Sequence, residues 1–336
     1  MTVDTKVCVI HFARFFASIV LPLPQELNYI GFIRSLLACR GSDSQRFFRA
    51  MDSSALQYEA IKYGQHDLQT IGLWRKAGES SATGKTWIIY LHGGAWRDPR
   101  KTHLDFIPTL NRFLSLSESS RVAGYASIDY RLSPHPEFPQ DPASTPPEQL
   151  RNATHPAHLQ DVWAALGVLQ QSYGFGSDYI VVGHSAGATM AYQMLMGAAA
   201  LGQGAEVPSG VELPKAVVGF QGIYDLRGLV DRFGPGYASF ITAAFGDPST
   251  WDRASPMKYT GGFRSNWEGG KVAVLGRSPD DELVDALELE GMAEVLEREQ
   301  VNHLVFKDMK GTHDGVWQDG QHVARLIAET IKVVYT

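Results

Sequence analysis

The segment Ile180-Val181-Val182-Gly183-His184-Ser185-Ala186-Gly187-Ala188 constrains this chain more than any other. The β-branched run Ile180 to Val182 reads as a buried strand and Ala188 to Leu195 as a helix, so a Gly-x-Ser-x-Gly falls at their junction. A serine at so sharp a strand-to-helix turn has a strained backbone, and Cβ atoms two residues to either side would collide. Glycine at Gly183 and Gly187 removes them. Such a turn lifts the Ser185 hydroxyl out of the sheet edge, where a nucleophile has to stand.

A second element lies upstream. Trp87-Ile88-Ile89-Tyr90-Leu91 has the continuous apolar character of a buried parallel strand, and it runs into the motif His92-Gly93-Gly94-Ala95-Trp96. Acyl transfer through a serine needs backbone N–H groups aimed at the developing oxyanion, and glycines let the backbone approach the substrate. Gly93, Gly94 and Ala186, the residue after the serine, are the candidates for that hole. A plain turn is the alternative reading of Gly93-Gly94 taken alone. Its occurrence before Ser185, in this order, favours the catalytic reading.

A carboxylate and then a histidine should follow the serine along the chain. Lys271 to Leu275 reads as a further buried strand, followed by Arg277-Ser278-Pro279-Asp280-Asp281-Glu282-Leu283-Val284. Asp281 is the preferred acid because Leu283-Val284 just beyond it can anchor the loop, with Asp280 the alternative. Leu304 to Asp308 reads as the last strand, and the loop after it carries His313. The chain has 11 histidines, so placement must choose among them. His322 falls inside a helical pattern that runs to the C-terminus. His92 and His184 flank the functional loops and are read as orienting them by hydrogen bonds.

The chemistry these residues predict is acyl transfer: His313 takes the proton of Ser185, Asp281 holds the imidazole tautomer, and backbone amides receive the oxyanion. Neither a cofactor nor a metal is required.

The motif His92-Gly93-Gly94-Ala95-Trp96-Arg97-Asp98-Pro99, together with Gly183 to Thr189, resembles the kynurenine formamidase (arylformamidase) family, a branch of the esterase/lipase group of α/β-hydrolases. The tryptophan separates that branch from hormone-sensitive-lipase-like esterases, whose loop usually reads His-Gly-Gly-Gly. Asp129-Tyr130-Arg131-Leu132-Ser133-Pro134 resembles a segment common to both groups. The likeness covers roughly residues 45 to 335. It implies an α/β-hydrolase fold, a mostly parallel central sheet flanked by helices, and hydrolysis of N-formyl-L-kynurenine to L-kynurenine and formate in tryptophan degradation. The rival readings are a carboxylesterase acting on short-chain esters, which shares every catalytic residue, and a noncatalytic binding protein on the same fold, which a complete triad disfavours.

Trp96 has two readings. A bulky side chain at the oxyanion loop can narrow the acyl side so that formyl fits, or it can be a core anchor. Arg97, Arg131 and Asp129 are available for the amino acid end of such a substrate, and Phe233, Tyr237, Phe240 and Phe245 for its ring, with core packing the alternative for each aromatic.

Composition bounds the rest. At 336 residues, 44% hydrophobic and 20% charged, the chain can bury one large α/β core, and a net charge of -6 argues against nucleic acid as a partner. The 2 cysteines, Cys8 and Cys39, make a disulfide framework improbable and favour a reducing, cytoplasmic setting. The chain divides into an N-terminal extension, residues 1–45, helical or disordered, and a single domain over 46–336 with pocket-covering insertions near 134–156 and 222–267. The first is marked by six prolines between Pro134 and Pro147, the second by glycines and aromatics. Val7 to Leu23 is apolar, but a central Arg14 costs about 3 kcal/mol on insertion into a bilayer, so a membrane span is disfavoured. An opening antiparallel hairpin is predicted over Tyr58 to Tyr63 and Gln69 to Trp74, a strand over Ala123 to Ile128 and another over Ala216 to Phe220.

Overall fold

The computed structural model describes residues 56–77, 84–202 and 206–336. The extension over residues 1–45, with Cys8 and Cys39, lies outside the described residues. Among the described residues eight strands make one sheet: β1 (Gln57–Lys62), β2 (Thr70–Arg75), β3 (Thr86–Leu91), β4 (Val122–Ile128), β5 (Tyr179–His184), β6 (Ala216–Phe220), β7 (Val272–Gly276) and β8 (His303–Phe306). Their order is β1-β2-β4-β3-β5-β6-β7-β8. β2 runs antiparallel to β1 and β4, and every other pairing is parallel. The expected strands are all present, displaced by a residue or two where hydrogen-bond register overrides local pattern. Gly276, for instance, ends β7 because it pairs with both Phe220 and Phe306.

The helices of eight or more residues among those described are α1 (Ile107–Leu114), α2 (Ala157–Tyr173), α3 (Ala186–Met196), α4 (Leu226–Phe233), α5 (Pro235–Phe245), α6 (Ala286–Arg298) and α7 (Gln321–Val334). They cover both faces of the sheet. Strand side chains alternate between faces, so Trp87, Ile89, Leu91, Val181, Val217 and Leu275 join one buried cluster with residues of α2 to α6. The intervening positions Ile88, Tyr90, Val182, Val218 and Val274 are equally buried, on the face where α7 packs on β6 and β7 and against α1. A sheet buried on both faces needs apolar residues at every position, which explains the unbroken runs in the sequence.

The two proline- and glycine-rich stretches differ in structure. Residues 134–156 contain no helix or strand, and they are tied to the opening hairpin by Asp67 N–H donating to the Glu148 carbonyl at 2.7 Å and by the His66 ring on the Leu150 carbonyl at 3.2 Å. Residues 222–267 carry α4, α5 and short turns of helix. Among the described residues no helix is long and apolar enough to cross a membrane.

Register positions the site. Leu91 is paired with Gly183, His184 with Phe220, Phe220 with Gly276 and Gly276 with Phe306, so five parallel strands end in a row. The loops bearing His92, Ser185, Asp281 and His313 therefore leave the sheet along one edge, the C-terminal edge, where open α/β sheets place their ligands.

Candidate active site

Ser185 joins β5 to α3 with φ 51° and ψ −118°, a conformation that a β-carbon makes costly. Its N–H donates to the Phe220 carbonyl at 3.1 Å and its carbonyl accepts from Ala188 at 2.9 Å, so the strain is held from both sides. The flanking glycines answer to contact. A Cβ on Gly187 would overlap the Leu91 carbonyl oxygen of β3, and one on Gly183 would overlap the Gly187 carbonyl. The pentapeptide is thus a packing requirement between β3, β5 and α3.

His313 and Asp281 form a buried pair. The imidazole Nδ1 lies 3.0 Å from each carboxylate oxygen of Asp281. Asp281 Oδ1 also accepts from the N–H groups of Leu283 and Val284, both at 2.9 Å, which aims the carboxylate. The Nδ1–H tautomer leaves Nε2 as the lone-pair nitrogen. Glu282 Oε2 accepts from the His313 N–H at 2.9 Å and ties the two loops together. Asp280 is exposed and among the described residues accepts only a long bond of 3.4 Å from Gly311 N–H, so the histidine's partner is Asp281. His322 lies in the first turn of α7 beside Arg325 and Asp308.

The motif loop stands against the serine. A Cβ on Gly93 would meet Ser185 Cβ at 3.1 Å and His184 Nδ1 at 2.5 Å, so only glycine passes there. Gly94, Ala95 and Trp96 follow with φ of 95°, 50° and 58°, a left-handed turn closed by Arg97 and Asp98 N–H groups on the Gly94 carbonyl at 3.0 and 2.9 Å. Among the described residues the N–H groups of Gly93, Gly94 and Ala186 have no protein acceptor. His92 donates from Nδ1 to the Gly93 carbonyl at 2.8 Å and stacks on Tyr130, whose hydroxyl donates to the His92 carbonyl at 3.0 Å. His184 donates from Nε2 to the His313 carbonyl at 3.1 Å. Burial holds both of these histidines below their ordinary range, His184 far below it with a further push from His313. They are neutral hydrogen-bonding struts. Trp96 is 1% exposed and packs edge-on against Phe245 at 4.8 Å and over Phe240 at 6.4 Å, which is the core-anchor reading.

The three charged residues considered for the amino acid end separate clearly. Arg131 grips Asp161 through both Nε and Nη2, at 2.7 to 3.1 Å. Asp129 is buried and accepts from the N–H and Nδ1 of His103 at 2.5 and 2.6 Å, with Tyr58 on the far ring nitrogen at 2.8 Å. Both are structural. Arg97 alone of the three has no ion-pair partner among the described residues, and its guanidinium lies over the Phe240 ring at 5.6 Å. Of the aromatics, Phe233, Tyr237 and Phe240 form a row at 4.8 and 5.4 Å spacing, and Phe245 is buried.

Several supports escaped the sequence. Gln221, at φ 51°, accepts from Ser278 N–H at 3.0 Å and donates toward the Thr312 carbonyl at 3.5 Å, bracing the acid and histidine loops from the end of β6. Lys101 pairs with Asp314 at 2.5 Å and lies over Trp317, clamping the motif loop to the histidine loop. Opposite charges 213 positions apart carry no local signal; only the strand order joins them. Side-chain atoms of His184, His313 and Asp314 lie within 4.8 Å of one another. In this cluster His184 Nε2 faces the His313 carbonyl, His313 Nδ1 faces Asp281, and the Asp314 carboxylate is paired with Lys101.

Comparison with curated proteins places the chain. It is 37% identical to the kynurenine formamidase-like hydrolase fscH of Fusarium equiseti, over 81% of this chain and 91% of that one. The kynurenine formamidase of Meyerozyma guilliermondii is 34% identical over 84% of this chain and 95% of its own. The chain belongs to the kynurenine formamidase family. Kynurenine formamidase avaC of Aspergillus versicolor, 35% identical over 69% of this chain and 84% of its own, is a further relative. No family model matches the sequence. Solved structures agree on the fold: carboxyl esterase 2 of Tuber melanosporum superposes with a TM-score of 0.59 at 15% identity, covering 99% of both chains. An esterase/lipase from an uncultured bacterium gives 0.58 at 16%, again over 99% of both. The fold is that of the α/β-hydrolases, and this formamidase-family chain is a hydrolase.

Proposed function

We propose that the chain hydrolyses N-formyl-L-kynurenine to L-kynurenine and formate through an acyl-enzyme on Ser185. The likeness to kynurenine formamidases at 34–37% identity carries the choice of substrate, and the buried His313–Asp281 pair, on loops at the same sheet edge as the Ser185 turn, supports the acyl-enzyme mechanism. His313, its Nδ1–H directed at Asp281, takes the hydroxyl proton as Ser185 attacks the formyl carbon. The N–H groups of Gly93, Gly94 and Ala186 receive the oxyanion, their lack of a protein acceptor leaving them free to do so. His313 then protonates the departing aryl amine, and water resolves the formyl-enzyme by the same base. The aryl amine beside a ketone is a better leaving group than an alkylamine, so the reaction asks little beyond positioning. Residues 134–156 and 222–267 cover the pocket in this reading, with the row Phe233, Tyr237 and Phe240 facing the substrate's ring.

The test is a comparison of kcat/KM for N-formyl-L-kynurenine, nitrophenyl acetate and nitrophenyl hexanoate on purified protein. The formamide is expected to be preferred and the hexanoate ester to be poorest. Preference for the hexanoate with no turnover of N-formyl-L-kynurenine would replace the formamidase reading by that of a short-chain carboxylesterase.

A further inference from the structure

We propose that Arg97 receives the carboxylate of the substrate, so that the site selects aryl amides or esters whose leaving group carries an anion. The inference rests on the aryl-formamide reading above and adds to it the chemical feature that the far end of the substrate must have.

Position comes first. The Arg97 N–H closes the left-handed turn on the Gly94 carbonyl at 3.0 Å, so its backbone belongs to the turn that follows Gly93, the motif glycine set against Ser185. Its side chain leaves that turn toward α5, where Nη1 makes a long 3.4 Å bond to Ser239 Oγ and the guanidinium lies over Phe240. From Phe240 the aromatic row continues to Tyr237, whose hydroxyl donates to the Leu283 carbonyl at 2.7 Å, next to the acid loop. α5 therefore spans from the motif loop to the acid loop, over the edge where Ser185 stands. An aryl substrate attacked at its formyl end by Ser185 has this row to lie along.

Charge then selects the residue. Arg97 is half-buried, and burial pulls its pKa down from the ordinary value, the sign of a cation losing water without full replacement. Its neighbour Asp98 is taken by Arg100, which binds it through Nε and Nη2 at 2.8 to 3.2 Å. Glu137 acts on Arg97 only at longer range and is exposed. Arg131 and Arg232 hold carboxylates directly, and Arg151 and Arg277 donate to the backbone carbonyls of Phe138 and Val284, so among these arginines Arg97 is the one on the motif turn with its guanidinium stacked on an aromatic ring of α5. A planar guanidinium with its fork unfilled, stacked on an aromatic ring, is matched by a carboxylate arriving with an aryl group.

The experiment measures a ratio: kcat/KM for N-formyl-L-kynurenine over that for ortho-formamidoacetophenone, which keeps the aryl formamide and the ketone but lacks the amino acid end. Arg97→Gln is expected to lower this ratio at least about tenfold, through KM, because a charge-assisted bond is lost only for the anionic substrate. Arg97→Lys should recover part of it and guards against a folding defect in the glutamine variant. A ratio within twofold of wild type in Arg97→Gln would overturn the proposal. Should wild-type protein fail to cleave N-formyl-L-kynurenine, the formamidase reading falls, and a second pair decides on Arg97: phenyl acetate against its analogue with a propionate chain ortho to the ester. A tenfold loss of preference for the anionic ester would support the anion site, and an unchanged preference would overturn it.

Discussion

The Ser185 turn and helix α5 face the same edge of the sheet under opposite degrees of constraint. Every residue of β5 and α3 is buried, and the two glycines of the turn are dictated by contact with backbone atoms of β3 and α3. In α5 only Ile241, Ala244 and Phe245 are buried, and the helix is held at its ends by single bonds such as Tyr237 to Leu283 and His155 N–H to the Ala244 carbonyl at 2.6 Å. Under the proposed function the difference separates two tasks. Bond breaking needs a fixed geometry, and a close-packed core supplies it. Substrate selection needs side chains that can change without unfolding anything, and a half-exposed helix offers them. Trp96 shows where the two regions meet: its backbone lies in the motif turn and its ring is buried against Phe240 and Phe245 of α5.

The comparison is sharpest at the nucleophile. Ser185→Ala should lower kcat/KM by at least about 10⁴-fold while thermal unfolding stays within a degree or two of wild type, since the hydroxyl carries chemistry and the backbone carries the fold. Retention of a tenth of the activity, in protein free of wild-type contamination, would remove Ser185 from that role.

The paired carboxylates give the next effect. Asp281→Asn should cost about 10³- to 10⁴-fold in kcat, because an amide that must donate to Nδ1 favours the wrong imidazole tautomer. Asp280→Asn should stay within about threefold, as that side chain is exposed and bonded only weakly to Gly311. Equal losses in the two variants would break the assignment made from His313.

The smallest effect tests the anchoring of α5. His155 is half-buried against Phe245, its Nε2 donating to the Ala200 carbonyl, and desolvation pushes its pKa down to about 4. A histidine whose value is lowered on folding contributes stability that is complete above the unfolded value near 6.5 and is lost as pH falls toward 4, by up to about 1.4 kcal/mol per pH unit. His158 next to it, pushed to about 3, acts in the same direction. Buried Glu288 and half-buried Asp105, whose carboxyls desolvation pushes up, oppose them. Comparison with His155→Gln isolates the one group. Between pH 6.5 and 5 the variant's stability should fall less steeply than wild type, and amides of α5 should exchange sooner than those of β5 and α3 as the wild-type protein is acidified. Parallel stability curves, or earlier exchange in β5, would contradict this.

Much of the site could be read from the chain because its parts are local. Gly-x-Ser-x-Gly and His-Gly-Gly-x-Trp are turns, and a turn's residue requirements lie within a few positions of each other. Leu283-Val284 beyond Asp281 read in the sequence as an anchor for its loop, and in the structure their N–H groups aim the Asp281 carboxylate. Gln221 gave no such sign, because its φ and both its partners depend on where β7 and the histidine loop end up. Arg97, Arg131 and Asp129 were equivalent as letters. Only the packed structure divides them, by giving Asp161 to Arg131 and His103 to Asp129 and leaving Arg97 without a carboxylate among the described residues.

The sequence by itself therefore determined the order of the candidate site residues: a buried strand, a turn that admits only glycine around a serine, then an acid and a histidine on later strand ends. Those features follow from steric rules that act over a few residues. Tertiary structure alone decided that the ends of β3, β5, β6, β7 and β8 align, that Lys101 meets Asp314, and that α5 spans from the motif loop to the acid loop. The reason is physical: contacts between distant segments are set by strand register and by the burial of both sheet faces, and neither is written at any one position of the chain.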